Sequence, residues 1–271
     1  MTSASMELRH DVGRAFDSQA TEYDEVFTRS TIGRAQRNAV WERAASLFAR
    51  GSHILELNCG TGEDALFLSR LGMSVVACDA SEQMIEQARQ RQKEEDPRST
   101  VRFEHLPIEQ LTTLPIAALF DGVFSNFSGL NCVNDLEGVA KQLAHLVKDG
   151  APLLLCLSTR VCLWEIFYYL FRGNVRKAFR RCNGQTNAQL GGVSFPVYYH
   201  SIHQLRAFFE PTFKLKAYTG IGIVVPPSYL ESWARKHPRF LRLLQQIDAT
   251  VCNWPLFRVV GDHVLLQFER A

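Results

Sequence analysis

The segment from His53 to Ala65 constrains the fold most, because it joins a short apolar strand to a helix through a glycine-rich turn. The turn runs from Asn58 to Gly62. Glycines let the backbone approach a ligand closely, and the helix that follows offers unpaired backbone N–H groups. Asp79 ends the next apolar strand about 20 residues later, where a carboxylate can accept hydrogen bonds from ribose hydroxyls. We therefore expect a nucleoside-type ligand at the carboxyl ends of these two strands.

Strand and helix patterns alternate throughout residues 51–160. The predicted strands are 53–57, 74–78, 101–105, one within 120–127, and 152–157, and the predicted helices are 64–71, 81–95 and 135–147. Strands that alternate with helices of about a dozen residues form parallel βαβ units. A helix at 201–209 and strands at 213–225 and 263–269 continue this style, with a helical stretch from Tyr229 to Cys252 before the last strand.

Composition bears on partners and on cellular setting. The formal net charge is only +2, so no whole-molecule field favours nucleic acid, and no nucleic-acid partner is expected. The first twenty residues contain no apolar run, which argues against a secretory signal. The apolar stretch 151–171 is broken by Pro152, Arg160 and Glu165, which argues against a membrane span. Seven cysteines without a CxxC pair are typical of free thiols, so we expect a cytoplasmic protein without a metal site.

The glycine-rich segment resembles motif I of the class I S-adenosylmethionine-dependent methyltransferases, whose pattern is roughly acidic-x-Gly-x-Gly-x-Gly. Glu56, Gly60 and Gly62 match that pattern. Asn58 replaces its first glycine, and asparagine tolerates left-handed backbone angles better than most residues. Asp79 matches the acidic residue that follows the second strand in the family.

Further segments carry the same resemblance. Ala80, Ser81 and Met84 follow Asp79 in the family's manner, and residues 120–126 are similar to its fourth-strand motif. Residues 16–27 resemble the lead-in helix of quinone- and biotin-pathway methyltransferases, a segment that lies over the cofactor there.

The alternation and the resemblance together predict a doubly wound, Rossmann-like α/β fold with a seven-stranded, mostly parallel sheet. We expect an N-terminal helical lid in residues 1–50, with helix from Val12 to Ala49, and an S-adenosylmethionine-binding core in 51–160. An aromatic and basic cap, a helical insertion after strand five, would fill 161–200, and residues 201–271 would complete the sheet.

The resemblance implies S-adenosylmethionine as cofactor. The residues expected to hold it lie in the turn and after strands two, three and four: Glu56, Asn58, Cys59, Gly60, Thr61, Gly62, Asp79, Ala80, Met84, Pro107, Ile108, Glu109, Asn126 and Phe127. Many relatives place an acidic residue near the adenine amino group, where this chain has Pro107. Adenine would then be held by the Ile108 backbone and apolar contacts, or by Glu109.

The acceptor is expected at the carboxyl ends of strands four and five. Ser128 and Asn131 follow strand four, and Trp164, Tyr168 and Tyr229 are the aromatic candidates for substrate binding. The stretch 161–171 is apolar on all sides, so it is either a cap helix packed on the domain or a lid over an apolar acceptor such as a lipid, a prenyl compound or an aromatic ring.

A basic run follows this stretch, with no acidic residue inside it: Arg172, Arg176, Lys177, Arg180 and Arg181. It is either a solvated face, or a dock for an anionic group or a membrane surface. The expected partner is a small-molecule acceptor, apolar or lipid-like, with or without an anionic group; peripheral membrane contact and the oligomeric state stay open.

His200 is the candidate general base for an O–H or N–H acceptor, although a helix-capping or core role is the alternative. Tyr199 beside it and Tyr23 in the lead-in segment are the other catalytic candidates. His203 completes an HxxH pair, but no third ligand accompanies it, so no metal is predicted.

In-line methyl transfer depends mainly on positioning, so the lack of an obvious catalytic dyad fits it. A nicotinamide-dependent oxidoreductase is the main rival, yet only the looser G-x-G-x-x-A form of its fingerprint is present. A nucleic-acid methyltransferase would need a binding domain or an N-P-P-Y signature, and neither is found in the sequence. A catalytically silent S-adenosylmethionine-binding protein is the third alternative, because Asn58 and Pro107 depart from the family pattern.

Overall fold

The computed structural model describes residues 12–115 and 117–271. Seven strands form one sheet: β1 (His53–Leu57), β2 (Ser74–Asp79), β3 (Arg102–His105), β4 (Gly122–Ser125), β5 (Pro152–Ser158), β8 (Phe213–Ile221) and β9 (His263–Arg270). Their order across the sheet is β3-β2-β1-β4-β5-β9-β8, and the two remaining strands, β6 (Gln185–Leu190) and β7 (Val193–Tyr198), form a separate hairpin. The first five pair in parallel, whereas β9 runs antiparallel to both β5 and β8. The predicted fold class is confirmed, and the chain reverses its winding direction between β1 and β4.

Helices cover both faces of the sheet because successive side chains of a strand point to opposite faces. On one face, α2 (Thr31–Leu47), α3 (Glu63–Arg70) and α4 (Glu82–Glu95) pack against residues such as Ile54 and Phe124. On the other face, α5 (Leu136–Ala144) and α8 (Ile202–Phe209) pack against residues such as Leu55.

The N-terminal region contains several short helical pieces in place of the predicted continuous helix. Residues 12–17 are helical, α1 spans Ala20–Tyr23, a π-helical segment spans Asp24–Thr28, and α2 follows. Ser30 interrupts the run because its backbone is extended and its hydroxyl accepts a hydrogen bond from the Gly33 amide at 3.0 Å, which makes it the N-cap of α2.

The insertion after β5 contains a β-hairpin that the sequence analysis did not predict. Helices α6 (Leu163–Phe171) and α7 (Val175–Ala178) come first, and then β6 (Gln185–Leu190) pairs antiparallel with β7 (Val193–Tyr198). Gly191 and Gly192 join the strands with φ of 56° and 78°, angles that a two-residue type I′ turn requires. The predicted helical insertion is thus present as α6 and α7, and the hairpin that follows them is an addition to it.

The stretch before β9 is helical, as predicted, but it consists of two helices. Helices α9 (Glu231–Lys236) and α10 (Pro238–Val251) are separated at His237, and Pro238 occupies the first turn of α10. Within the described ranges, no helix is long and apolar enough to cross a bilayer.

Candidate active site

A cavity of about 580 Å³ opens at the carboxyl ends of β1, β2 and β4. Its base comes from the glycine-rich turn and the end of β2, and its roof comes from the N-terminal helical residues and the β6–β7 hairpin. The lining residues on which the argument depends are Phe16, Tyr23, Asn58, Gly60, Asp79, Met84, Ile108, Asn126, Phe127, Ser128, Asp135, Phe195, Val197 and Tyr198. This is the crevice where open α/β sheets bind ligands.

Asp79 is fixed by the turn that it faces. Its Oδ2 accepts a hydrogen bond from the Gly60 amide at 2.8 Å, and its Oδ1 accepts one from the Ser81 amide at 2.9 Å. Burial raises the pKa of Asp79, while these two backbone hydrogen bonds act in the opposite direction. A carboxylate oxygen has two acceptor sites, so each oxygen keeps one for a ribose hydroxyl.

Asn58 and its strand neighbour Glu56 present unsatisfied oxygens near this turn. Asn58 adopts a φ of 54°, as the prediction of a tolerated left-handed turn requires. The Asn58 Oδ1 and the Glu56 Oε2 are buried and have no hydrogen-bond partner among the described residues. Burial raises the pKa of Glu56 well above its ordinary value, and the nearby Asp64 carboxylate acts in the same direction. The Asn58 oxygen belongs to a residue that lines the cavity, so it indicates a place for a ligand's N–H or O–H group.

Backbone strain is concentrated at this cavity. Asn58, Phe127 and Ser128 are the non-glycine residues of the described chain with positive φ, and all three line the cavity. Left-handed backbone is costly for residues other than glycine and is often retained at functional sites. An added Cβ at Gly129 would lie 2.3 Å from the Asn58 Cβ, so the β4 loop approaches the glycine-rich turn closely.

A buried polar cluster behind the cavity holds Asn126 in place. The Asn126 amide donates to the Asp64 carboxylate at 3.2 Å, and the Trp41 indole N–H donates to the other Asp64 oxygen at 2.5 Å. Arg37 pairs with the same carboxylate and lies 4.8 Å above the Phe127 ring. Arg37 and Trp41 lie on α2, far from Asn126 in sequence, so no local signal predicted this cluster.

The N-terminal segment lies over the turn, as the lead-in resemblance implied. Tyr23 lines the cavity beside Gly60, and burial raises its pKa to about 12. Asp24 accepts a hydrogen bond from the Thr61 hydroxyl at 2.7 Å, and Asp17 accepts one from the Ser81 hydroxyl at 2.6 Å. These contacts join the segment to the glycine-rich turn and to the start of α4.

The structure places most predicted cofactor residues on the cavity wall, but not all of them. The predicted residues that line it are Tyr23, Asn58, Gly60, Asp79, Ala80, Met84, Pro107, Ile108, Glu109, Asn126, Phe127 and Ser128. Glu56, Cys59, Thr61 and Gly62 lie behind the wall. Thr61 contacts Asp24, and an added Cβ at Gly62 would lie 2.8 Å from the Phe103 ring, so Gly62 lets the start of α3 pack closely against β3.

The aromatic substrate candidates do not reach the cavity. The Trp164 indole donates to the Val224 carbonyl at 3.0 Å, and the Tyr168 and Tyr229 rings pack together with centroids 4.5 Å apart. These three residues hold α6 on the body of the protein. Asn131 is also structural, because its amide donates to the Tyr198 carbonyl at 2.6 Å and braces the hairpin.

Tyr199 and His200 also lie outside the cavity, whereas the adjacent Tyr198 lines it. Tyr199 is buried below the Arg181 guanidinium, which is 5.4 Å from its ring. The His200 ring lies parallel to the Tyr198 ring at 6.2 Å, and burial lowers the pKa of His200. The geometry thus favours a core role for His200 over the role of a base.

The hairpin supplies an apolar roof that the sequence analysis missed. Phe195, Pro196 and Val197 face the cavity, and the Phe195 ring packs against Phe16 with centroids 5.8 Å apart. The alternation of apolar residues in 193–198, followed backwards to the glycine pair, was the signal that could have predicted this strand.

The end of the basic run is buried in an ion-pair cluster. Arg180 and Arg181 contact the Glu165 carboxylate at 2.6 and 2.8 Å, and Arg181 also contacts Asp262 at 2.9 Å. Glu165 is 1% exposed. For Arg181, whose side chain is 10% exposed, both interpretations of the run, as a solvated face and as an anion dock, are therefore wrong, whereas Arg180 is 42% exposed. The cluster joins the insertion to the start of β9.

Comparison with known proteins agrees with this geometry. Residues 54–150 match the family described as a methyltransferase domain. The demethylmenaquinone methyltransferase of Clavibacter sepedonicus is 32% identical over 146 residues, which are 54% of this chain and 57% of that protein. The S-adenosyl-L-methionine-dependent Diels-Alderase of Talaromyces variabilis is 40% identical over 76 residues, which are 28% of this chain and 26% of that enzyme. The chain thus spans just over half the length of the first relative and about a quarter of the second.

A solved structure shares the fold over nearly the whole chain. The 1,6-didemethyltoxoflavin-N1-methyltransferase of Burkholderia thailandensis, solved with 1,6-didemethyltoxoflavin and S-adenosylhomocysteine, superposes with a TM-score of 0.62 at 14% identity. The match covers 100% of this chain and 92% of that one.

The sheet order, and the cavity at the point where the chain reverses its winding direction, define a Rossmann-like protein with a site for a nucleoside cofactor. The matching domain and relatives show that residues 54–150 are similar to methyltransferase domains, and the cofactor of the class I enzymes that the sequence resembles is S-adenosylmethionine. The residues present fit this cofactor, because Asp79 offers acceptors for vicinal ribose hydroxyls and the Asn58 Oδ1 offers one for an ammonium group.

Proposed function

We propose that this protein transfers a methyl group from S-adenosylmethionine to a small, apolar acceptor. One observation carries the proposal: a single cavity joins the Asp79 turn to the apolar roof of Phe16, Phe195 and Val197. The first end suits the cofactor, and the second suits a ring or an acyl or prenyl group.

The charges on the cavity wall support a cationic cofactor. The titratable side chains on this wall are Tyr23, Asp79, Glu109, Cys132, Asp135 and Tyr198. Among the described lining residues there is no lysine, arginine or histidine. A positively charged sulfonium is favoured beside carboxylates, whereas an anionic acceptor would find no protein cation here. We therefore propose a neutral acceptor.

Positioning is the main catalytic contribution that we assign to the protein. When bound, S-adenosylmethionine supplies a methyl group activated by its sulfonium charge. Asp79 and Asn58 would fix the cofactor, and Phe16 and Phe195 would exclude water from the acceptor. The pKa of Tyr23, about 12, keeps its hydroxyl protonated at neutral pH, so it can donate a hydrogen bond to the acceptor but cannot accept its proton.

The test begins with calorimetric titration of S-adenosylmethionine, S-adenosylhomocysteine and NADH. Micromolar binding of the two sulfur compounds is expected, and their failure to bind would contradict the proposal. Binding of NADH alone would favour the oxidoreductase. Acceptors are then screened by mass spectrometry, weighted toward prenylated and polycyclic phenols. Methyl transfer adds one CH₂ to the mass of the acceptor and produces S-adenosylhomocysteine in equal amount.

A second candidate is cofactor-dependent cyclisation without methyl transfer. The apolar roof over the cavity favours it, and a relative named as a Diels-Alderase matches 76 residues of the chain. A cyclisation would leave the mass of the substrate and the amount of S-adenosylmethionine unchanged. The same screen, with conjugated polyenes included, therefore separates the two functions. A silent binding protein would bind the cofactor and give neither product.

A reducing cytoplasm is the location that we propose. The support is that all seven cysteines are free, and that five of them are buried: Cys59, Cys78, Cys156, Cys162 and Cys252. Disulfide-bonded cysteines would be expected in an oxidising compartment.

A further inference from the structure

Two segments differ from the rest of the chain in their charge. Residues 159–200 and 232–261 together contain eleven Lys and Arg but only two acidic residues, Glu165 and Asp248, whereas the whole chain has 30 basic and 28 acidic residues. Both of these acidic side chains are buried. The surface that the two segments expose is therefore basic and carries no carboxylate, although the rest of the protein has an acidic excess.

Helix α10 exposes an apolar stripe. Phe240, Leu243 and Ile247 lie at helical spacing and are 49%, 48% and 39% exposed. The opposite face of the helix, including Leu241 and Leu244, is buried against the start of α2. An amphipathic surface helix normally turns its polar face to water, so a half-exposed apolar stripe on its outer side is unusual.

Helices α6 and α7 expose a second apolar group. Phe171 is 90% exposed, Val175 is 60%, Phe167 is 55%, and Phe179 and Leu170 are also exposed. Arg172, Arg176 and Lys177 are exposed and lie among them in the sequence. Ion pairs of the buried Glu165 with Arg180 and Arg181, and of Arg181 with Asp262, connect this region to the start of β9.

Chain contacts join the two groups. The Leu163 amide at the start of α6 donates to the Val260 carbonyl at 3.1 Å, so the segment after α10 returns to α6. That segment exposes Trp254 and Leu256, the latter at 80%. The Tyr229 ring, which precedes α9, packs on Tyr168 of α6. We call this surface of α6, α7, α10 and residues 254–257 the apolar-basic face.

We propose that the apolar-basic face docks on an anionic lipid bilayer. Exposed aromatic and aliphatic side chains would enter the interface, and the basic residues beside them would contact lipid phosphates: Arg172, Arg176, Lys177, Arg239 and Arg242. A second copy of the same face would bring like charges together without a carboxylate to pair them, which disfavours a dimer here. Helix α6 follows the carboxyl end of β5, the sheet edge where the cavity opens, so docking would bring the roofed site toward the membrane.

The test uses the full chain in sedimentation with vesicles of phosphatidylcholine alone or with phosphatidylglycerol. Binding is expected only with the anionic lipid, and it should weaken as salt is raised. The double variant Arg239→Glu and Arg242→Glu should bind at least tenfold more weakly, and so should Phe171→Ser with Leu256→Ser. Lys93→Glu with Arg98→Glu is the matched control, because it makes the same charge change on exposed residues elsewhere and should bind as the unmodified protein does.

Equal binding by all variants, or no binding to anionic vesicles at low salt, would overturn the proposal. A dimer in ultracentrifugation that these face variants dissociate would assign the face to a second copy, which also overturns it. The inference does not depend on the methyl-transfer proposal. Titration of S-adenosylmethionine into the same variants should give unchanged affinity, which keeps the two proposals experimentally separate.

Discussion

The two ends of the cavity are built by different means. At the cofactor end, Gly60, Asp79 and Ser81 belong to consecutive elements and meet through backbone hydrogen bonds. At the roof, Phe16 and Phe195 come from distant parts of the chain and meet through their rings. The first arrangement follows from short-range geometry, and the second depends on how an insertion folds back over the sheet. One fold can thus keep its cofactor chemistry while its acceptor site is rebuilt.

The cavity wall and the insertion also differ in their charged residues. The cavity wall carries carboxylates, and the described lining residues include no basic side chain. The ion-pair cluster behind the roof instead joins two arginines to Glu165 and Asp262. Cofactor affinity and the stability of the insertion should therefore respond to different substitutions.

Replacement of Asp79 by alanine tests the cofactor end and should have the largest effect. Loss of hydrogen bonds from a charged acceptor, together with the loss of its contact to the Gly60 amide, should weaken S-adenosylmethionine binding by about 100- to 1000-fold. Calorimetry measures the dissociation constant. Asp149→Ala is the control, because its side chain is 91% exposed, and it should leave affinity unchanged. Near-normal affinity in the Asp79 variant would mean that this end of the cavity does not hold the cofactor.

Replacement of Arg181 by methionine tests the insertion. Two buried carboxylates would lose their shared cation, so the free energy of unfolding should fall by about 3 kcal/mol. Urea denaturation measures this loss, and the affinity of the folded protein for S-adenosylmethionine should stay within about twofold. The exposed Arg176→Met should change stability by less than about 0.5 kcal/mol. A large loss of cofactor affinity in the Arg181 variant would show that the two ends are coupled.

Stability should decrease as the pH falls below about 6.5. Burial lowers the pKa of His263 from its ordinary value of 6.5, so the unfolded chain takes up a proton that the folded protein excludes. The stability is complete above pH 6.5 and declines toward the folded pKa, with a slope of at most about 1.4 kcal/mol per pH unit. Urea unfolding at several pH values should show that His263→Gln reduces this slope and that the exposed His203→Gln does not. An unchanged slope in the first variant would contradict the assignment.

Replacement of Asp17 by alanine tests whether the N-terminal segment helps to retain the cofactor, and it should have the smallest effect of these changes. The carboxylate accepts hydrogen bonds from the Ser81 hydroxyl and the Gln83 amide, at 2.6 and 3.1 Å. Their loss should loosen the segment over the cofactor and weaken S-adenosylmethionine binding about fivefold. Glu22→Ala, on an exposed position of the same segment, is the control. Unaltered dissociation kinetics in the Asp17 variant would mean that the segment does not retain the cofactor.

The sheet, the glycine-rich turn and most of the residues on the cofactor side of the cavity were predictable from the sequence. These features rest on local rules: apolar runs form strands, Ser81 caps a helix through its hydroxyl, and Asn58 accepts a left-handed backbone that other residues resist. Asp79 could be placed because its distance from the turn is set by one βαβ unit.

The roof, the buried ion pairs and the position of Tyr199 and His200 outside the cavity became visible only in the folded protein. A side chain's environment depends on which distant element packs against it. Glu165 and Asp262 meet Arg181 only because β9 pairs with β5, and Asn131 holds the hairpin only because the insertion folds back over the sheet. Charge and aromatic content are properties of the sequence, but burial and partners arise from packing.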